Sequence, residues 1–171
     1  FYASTMKNNS NGRTMKAIAF AKYGKPTMLK KTEVPYPHGF DASKNVVIKV
    51  HASSVNPVDK ILLSGDLKLV FPVAEFPHVI SYDVAGVVEK ADSKGVFSVG
   101  QPVFARIWGD VDDDKKTPWF RGAMAEFCVA RTSDVVIKPD SISFEEAASI
   151  PLAGMTAFQV CRLYTSSAAH E

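Results

Sequence analysis

Four histidines are the first side chains to consider for chemistry, because imidazole binds transition metals and moves protons near neutral pH. They are His38, His51, His78 and His170. None of them stands at the short, regular spacing that zinc-binding pairs use. We therefore expect each histidine to be a packed or exposed side chain rather than a metal ligand.

An acidic run between Asp110 and Asp114 is the next candidate, because clustered carboxylates can bind calcium. A calcium loop that opened at Asp110 would need Gly at its sixth position and Glu at its twelfth. The chain has Lys115 and Arg121 there, so we interpret the run as a solvated loop. The sequence also lacks GxSxG, P-loop and GxGxxG motifs, which excludes the usual serine-nucleophile, triphosphate and self-contained dinucleotide sites.

Composition limits the function further. The chain has 171 residues, 46% of them hydrophobic, and its 20 basic and 18 acidic residues leave a net charge of +2. This balance argues against a nucleic-acid-binding protein, and no apolar run approaches the roughly 18 residues of a membrane helix. The only cysteines, Cys128 and Cys161, form no CxxC pair, which favours a reducing, cytoplasmic location over a disulfide framework.

Period-two alternation predicts a series of short strands. The clearest is 46–55, in which Val46, Ile48 and Val50 face one way and Lys49 and His51 face the other. Further strands are expected at 16–22, 28–34, 83–89, 102–107, 123–130 and 135–138. Short strands at this spacing, with no long helices between them, indicate a small twisted barrel or sandwich.

Helices are expected mainly near the end of the chain. Ser143 and Glu146 stand at the spacing of a capping box, which predicts a helix start there. Pro151 should break that helix, and a second helix is expected at 152–164. Earlier in the chain, only a short helical turn is expected at 58–63, just after Asn56 and Pro57.

Six segments, taken in order, resemble the catalytic domain of the medium-chain dehydrogenase/reductase superfamily. They are KAIAFAKYGKP, VVIKVHASSVNPVD, SYDVAGVVEKAD, VGQPVFARI, GAMAEFCVA and EEAASIPLAGMTAFQ. The chain is most similar to the zinc-independent quinone oxidoreductase branch, the relatives of zeta-crystallin and plant enone reductases. The resemblance runs from Met15 to Gln159 and implies a mainly β fold with short helices, a GroES-like partly open β-barrel.

The resemblance also bears on metal and cofactor. The alcohol dehydrogenase branch has a cysteine after the third strand and Gly-His-Glu before the AG-containing strand, whereas this chain has 54–57 as SVNP and 81–83 as SYD. With neither thiolate nor imidazole, zinc would lack ligands there. The resemblance therefore implies an enzyme without zinc that transfers hydride from NADPH to a quinone or an activated C=C bond.

Three residues are candidates for the site on this basis. Asn56 either stabilises its turn locally or points into a cleft, and the family pattern places it beside the nicotinamide or the substrate. Thr156 matches a family threonine near the nicotinamide ribose, although a threonine inside a helix can also bond back to a carbonyl. Tyr82 either lines the substrate side of the same cleft or packs as an ordinary aromatic.

Two positions depart from the family pattern. Five residues after Asn56, where relatives often carry tyrosine or lysine, this chain has Ile61, with Lys60 one place earlier. A one-place shift on a helix turns a side chain by about 100°, so Lys60 is a candidate electrophile only if the local register differs. Ser81 stands where close relatives usually have glycine, so a glycine-favouring backbone angle would be strained there.

The expected domain organisation follows from the resemblance. Residues 1–14 form a disordered leader, 15–150 the GroES-like catalytic domain, and 151–171 the helical start of a linker to a cofactor-binding domain. The family's glycine-rich turn, which holds the pyrophosphate at a helix N-terminus, is absent from the sequence. We therefore expect a truncated form that supplies the substrate half of a cleft and is inactive alone.

Two alternatives to a reductase domain remain open. One is a non-catalytic binding or interaction module derived from such an enzyme. The other is a structural domain without a ligand, in which Trp108, Trp119 and Phe120 form a contact patch. For the reductase, the expected partners are a small quinone or enone and, in the full-length form, a second copy of the protein, with no nucleic acid and no membrane.

Overall fold

The computed structural model describes residues 12–38, 40–70, 72–73, 76–107 and 122–168, with side chains described as far as residue 162. Most of the leader, the acidic run and the patch of Trp108, Trp119 and Phe120 lie outside the described residues. The strands are β1 (Thr14–Phe20), β2 (Lys30–Pro35), β3 (Asn45–Ser53), β4 (His78–Val79), β5 (Asp83–Lys90), β6 (Pro102–Arg106), β7 (Phe127–Arg131) and β8 (Val135–Ile137). The α-helices are α1 (Pro57–Ser64), α2 (Phe144–Ser149) and α3 (Pro151–Ala168), and single 3-10 turns lie at Pro26–Met28 and Thr132–Asp134.

The strands form two antiparallel sheets in the described part of the chain. The smaller sheet has the order β2-β1-β4, and the larger has the order β7-β3-β5-β6-β8. A bridge between Ala17 and Ala125 and a hydrogen bond of 2.8 Å from the Ile18 N–H to the Met124 carbonyl join the sheets. The expectation of a mainly β, partly open barrel is confirmed.

The alternation of apolar residues buries one face of the strands, and the buried residues form separate clusters in the smaller and the larger sheet. In β1, Met15, Ala17 and Ala19 are buried, while Thr14 and Lys16 are exposed, as period-two geometry requires. The main core cluster gathers residues of the larger sheet, among them Val46, Ile48, Val84, Val88, Val103, Ala105 and Ala130. Irregular pairing after Val47 and after Val50 bends β3, which curls the sheet around this cluster.

Several element boundaries differ from the predicted ones for identifiable reasons. The strand predicted from residue 123 begins at Phe127, because a side chain at Gly122 would run into the carbonyls of Val79 and Ile80 and the chain bends there. β4 was not predicted, since two residues are too short to show alternation. β1 begins at Thr14, and the guanidinium of Arg13 lies over the Tyr36 ring, so residues 13 and 14 of the predicted leader are part of the fold.

The helices agree better with their sequence signals. α2 is capped by Ser143, whose side chain accepts from the Glu146 N–H while the Glu146 carboxylate accepts from the Ser143 N–H. The break at Pro151 separates α2 from α3, as predicted. α3 continues to Ala168, beyond the predicted end, and the turn predicted at 58–63 is the two-turn helix α1.

Candidate functional site

Asn56 follows β3 in the chain and is the N-cap residue of α1. Its backbone is extended (φ −117°, ψ 161°), and Pro57 follows at the first helical position, where a missing N–H costs nothing. The Asn56 N–H donates to Asp59 Oδ2 at 2.7 Å. At the other end, Gly65 adopts a left-handed conformation (φ 77°) and closes the helix with bonds from its N–H to the last-turn carbonyls. Both signals fix where the helix starts and stops.

Asp59 turns inward from the first turn of α1 and is only 3% exposed. Its Oδ1 accepts the Ser81 N–H at 2.8 Å, so one carboxylate holds the start of the helix and the approach to β5. Burial raises the pKa of Asp59, and the nearby charge of Asp83 acts in the same direction. The Asp59 carboxyl is thus a buried acid whose surroundings disfavour its ionised form.

Ser81 has a φ of 75°, a left-handed backbone conformation that favours glycine, so the sequence question of strain at this position is answered by the structure. The residue is fully buried. Its hydroxyl donates to the Ser54 carbonyl at 2.7 Å, and its oxygen lies 2.6 Å from the Ser53 hydroxyl, which then donates to it. These bonds, which glycine could not make, offset part of the cost of the left-handed backbone.

Asp83 is the first residue of β5 and is fully buried. Its Oδ2 accepts from the Ser54 hydroxyl at 2.8 Å and from Asn56 Nδ2 at 2.9 Å. Its Oδ1 accepts from the backbone N–H of Leu152, in the first turn of α3, at 3.0 Å. Each of these three partners donates its hydrogen to the Asp83 side chain. Asp83 therefore connects α1, β5 and α3.

The structure brings two of the predicted residues into one hydrogen-bonded chain. Asn56 binds Asp83, Asp83 binds the N–H of Leu152, and the Leu152 carbonyl accepts the Thr156 hydroxyl at 2.7 Å. Asn56 is half-buried, while Thr156 is exposed on α3. Thr156 makes the bond to a helix carbonyl that its structural alternative predicts, whereas the Asn56 amide bonds to Asp83, 27 residues away. The roles of both residues toward a cofactor stay predictions.

Lys60 and Tyr82 are not members of the hydrogen-bonded chain that links Asn56 to Thr156. Lys60 is exposed on α1, whereas its neighbour Asp59 faces the interior, as a regular helix requires. Tyr82 is half-buried, and its backbone carbonyl accepts the Ile107 N–H at 2.7 Å. The electrophile role of Lys60 and the substrate-lining role of Tyr82 stay predictions.

A separate cleft of about 660 Å³ lies between α3 and the β6, β7 and β8 side of the barrel. Its wall combines charged residues with exposed apolar residues of α3: it includes Arg106, Arg131, Asp134, Met155 and Phe158. The residues that line the cleft include none of the predicted site residues. The sequence predicted the helix that carries Met155 and Phe158 but gave no sign of the cleft, since its walls come from distant segments.

Neither a metal site nor a membrane-spanning helix is found among the described residues. In that part of the chain no group of three or more His, Cys, Asp or Glu side chains is placed to hold a metal ion. His78 instead packs edge-on against Phe20, with ring centroids 5.4 Å apart. Nor does any helix among these residues have the length and apolar character needed to cross a bilayer.

The fold and the segment order agree with a known family. The alcohol dehydrogenase GroES-like domain matches residues 42–140, which is more than half of the chain. The chain belongs to this family. The resemblance to the quinone oxidoreductases of the medium-chain dehydrogenase/reductase superfamily is confirmed as well, as three similar proteins illustrate.

The mouse mitochondrial NAD(P)H oxidoreductase RTN4IP1 is 32% identical over 169 residues, covering 88% of this chain and 39% of the relative. The quinone oxidoreductase of Coxiella burnetii has a TM-score of 0.73 at 30% identity, covering 88% of this chain and 45% of that structure. The mycobacterial protein Rv1454c, solved with NADPH, has a TM-score of 0.65 at 31% identity, covering 85% and 40%. The chain thus spans about two fifths of the length of its relatives.

Proposed function

We propose that this chain is the substrate-side domain of an NADPH-dependent, zinc-independent oxidoreductase that reduces a quinone or an activated C=C bond. The observation that supports it most directly is that similar proteins at 30–32% identity are an NAD(P)H oxidoreductase and a quinone oxidoreductase. In domain terms, residues 15–150 are the catalytic GroES-like domain, and 151–171 begin a linker to a cofactor-binding domain. The chain alone does not turn over.

The residues fit one end of the cofactor only. The half-exposed amide of Asn56 and the exposed hydroxyl of Thr156 are polar groups suited to the nicotinamide and its ribose. No glycine-rich turn for the pyrophosphate stands in the sequence. When bound, NADPH supplies the hydride, and a solvent proton completes the reduction. The contribution of this chain is to hold the nicotinamide end and the substrate against each other.

The proposed substrate contacts rest on the family resemblance. Tyr82 lines the substrate side, and Lys60 supplies a cation at the exposed edge of α1 that can stabilise negative charge on a reduced oxygen. We propose that the full-length enzyme is a cytoplasmic homo-oligomer. The substrate is a small quinone or enone, and neither nucleic acid nor a membrane is a partner.

Calorimetric titration of NADPH, and of NADH for comparison, tests the proposal. We expect no measurable binding to the 171-residue chain and binding to any longer gene product that contains it, followed by turnover of quinones or enones. In that longer protein, Asn56→Ala should weaken NADPH binding or turnover by roughly tenfold or more, equivalent to about 1.4 kcal/mol. The exposed Val55→Ala is the matched control and should leave both unchanged.

A folded long form that binds neither nucleotide would reject the reductase. It would instead favour the alternative, a non-catalytic binding module derived from such an enzyme. The cleft beside α3, lined partly by the exposed Phe158, would then be the first surface to examine.

A further inference from the structure

We propose that Asp83 is a positioning residue that sets which end of the Asn56 side-chain amide faces the protein, and that it ties this orientation to the first turn of α3. The inference builds on the proposed function only in treating Asn56 as the residue that meets a ligand. Asp83 itself is fully buried, so it acts through Asn56 rather than by touching a ligand.

The first step is the direction of the hydrogen bond. An ionised carboxylate has acceptors only, and an amide side chain has an oxygen acceptor at one end and a nitrogen donor at the other. With 2.9 Å between Asp83 Oδ2 and the Asn56 amide, the atom facing Asp83 must be nitrogen, because two acceptors at that distance repel. The Ser54 hydroxyl, 2.8 Å from the same Oδ2, also donates to it.

The second step concerns Oδ1, the other oxygen of the Asp83 carboxylate. Asp83 Oδ1 accepts the backbone N–H of Leu152 at 3.0 Å, and a backbone amide cannot be turned around. A neutral amide at position 83 has only one oxygen, so it could satisfy either Leu152 or Asn56 in its present orientation, but not both. Only a carboxylate can accept from both sides at once.

The consequence for a ligand is a fixed polarity at Asn56. The Asn56 nitrogen donates to Asp83 and, with its second N–H, to the Ser54 hydroxyl oxygen at 3.3 Å. The carbonyl oxygen is therefore turned away from the carboxylate and is the end with a lone pair for a ligand donor. The ligand group that suits this orientation is an N–H donor, such as the carboxamide of a nicotinamide, rather than a quinone oxygen. This assigns Asn56 to the cofactor rather than to the electrophilic activation of the substrate.

A double-mutant cycle on thermal melting tests the orientation without any ligand. We expect Asp83→Asn and Asn56→Asp each to lower the melting temperature, the second because it sets two carboxylates against each other. The double variant should melt well above the temperature that the two separate losses predict, because a carboxylate at 56 can accept from the new amide at 83. Strict additivity would overturn the proposal.

Asp92 offers a matched control. Its carboxylate is also buried, 5% exposed, and it accepts backbone N–H groups from Lys94, Val96 and Phe97 at 2.9–3.2 Å. Asp92→Asn should lower the melting temperature as well, but its loss should add to that of Asn56→Asp. The same N-cap change at 56 enters both cycles, so its effect on α1 cancels from the comparison.

Nuclear magnetic resonance provides a second readout, one part of which needs only the unsubstituted chain. We expect a scalar coupling across the hydrogen bond from Asn56 Nδ2 to the carboxyl carbon of Asp83, and a large shift of the Asn56 side-chain amide signals in Asp83→Asn but not in Asp92→Asn. Absence of the coupling in a folded sample would overturn the proposal even if Asp83→Asn does not fold. Neither readout uses NADPH, so this proposal and the proposed function can fail separately.

Discussion

The buried carboxylate of Asp59 accepts the backbone N–H of Ser81 at 2.8 Å, and Ser81 is the non-glycine residue that holds a left-handed backbone in the described part of the chain. An anion that is itself costly to bury thus stabilises a backbone conformation that is also costly. This one hydrogen bond, made where β4 leads into β5, offsets part of the cost of burying Asp59 and part of the cost of the Ser81 backbone conformation. Substitutions at each residue should therefore have separable effects.

Ser81→Gly and Ser81→Ala distinguish strain from hydrogen bonding. Both lose the hydroxyl that donates to the Ser54 carbonyl, but only glycine removes the strain of φ 75°. We expect Ser81→Ala to lower the free energy of unfolding by about 1–3 kcal/mol and Ser81→Gly by about 1 kcal/mol less. Urea unfolding measures both, and a glycine variant less stable than the alanine variant would contradict the strain argument.

The raised pKa of Asp59 predicts a pH dependence of its contribution to stability. Burial raises the pKa above the ordinary value of 3.8, so between that pH and the folded-state pKa the native state binds more protons than the unfolded state. The contribution of Asp59 to stability is therefore largest below pH 3.8 and falls as the pH rises through the folded-state pKa.

Asp59→Asn removes that titration and makes the dependence measurable. The difference in unfolding free energy between the unsubstituted chain and Asp59→Asn should shrink as the pH rises from the acid side. Urea unfolding of both proteins across the acid range checks this. Asp92→Asn is the control with the opposite sign, because hydrogen bonds, first that from the Phe97 N–H, lower the pKa of Asp92 and its contribution is lost as the pH falls. A penalty for Asp59→Asn that grows with pH would refute the prediction.

The two cysteines should differ sharply in reactivity. Burial raises the pKa of Cys128 to about 12, while Cys161 is exposed on α3. At pH 8 we expect a thiol reagent to modify Cys161 within minutes and Cys128 only on unfolding. Mass spectrometry after timed alkylation, with and without urea, counts the labels. Rapid double labelling of the native chain would show that the core around Cys128 opens locally.

Gly86 and Gly154 should respond to alanine in opposite ways. A Cβ at Gly86 would overlap the Lys49 carbonyl oxygen of the neighbouring strand, and that backbone cannot move without breaking the β3–β5 pairing. Gly86→Ala should lower the free energy of unfolding by about 3 kcal/mol or more. A Cβ at Gly154 meets only the flexible Ile150 side chain at 3.2 Å, and helix propensity favours alanine by about 1 kcal/mol, so Gly154→Ala should be neutral or stabilising. Guanidinium unfolding of both variants makes the comparison.

Local signals in the sequence predicted more of the fold than of the site. The capping box of Ser143 and Glu146 spans three residues, and the alternation of β3 lies within one segment, so both are visible in the printed sequence. The resemblance identified Asn56. The partner of its side-chain amide, Asp83, lies 27 residues away. The donors to the two carboxylates are not local either, since the Ser81 N–H lies 22 residues from Asp59 and the Leu152 N–H lies 69 residues from Asp83. Only the folded barrel brings these buried carboxylates to their donors.

Two neighbouring carbonyls hold the described residues on either side of 108–121. The Ile107 N–H donates to the Tyr82 carbonyl at 2.7 Å, and the Ala123 N–H donates to the Ser81 carbonyl at 2.8 Å. Because these two anchors are adjacent, a flexible insert between them costs only about 0.6 kcal/mol of closure entropy for each doubling of its length. A protein engineer could therefore graft a peptide between Ile107 and Ala123 and keep both anchors to the barrel.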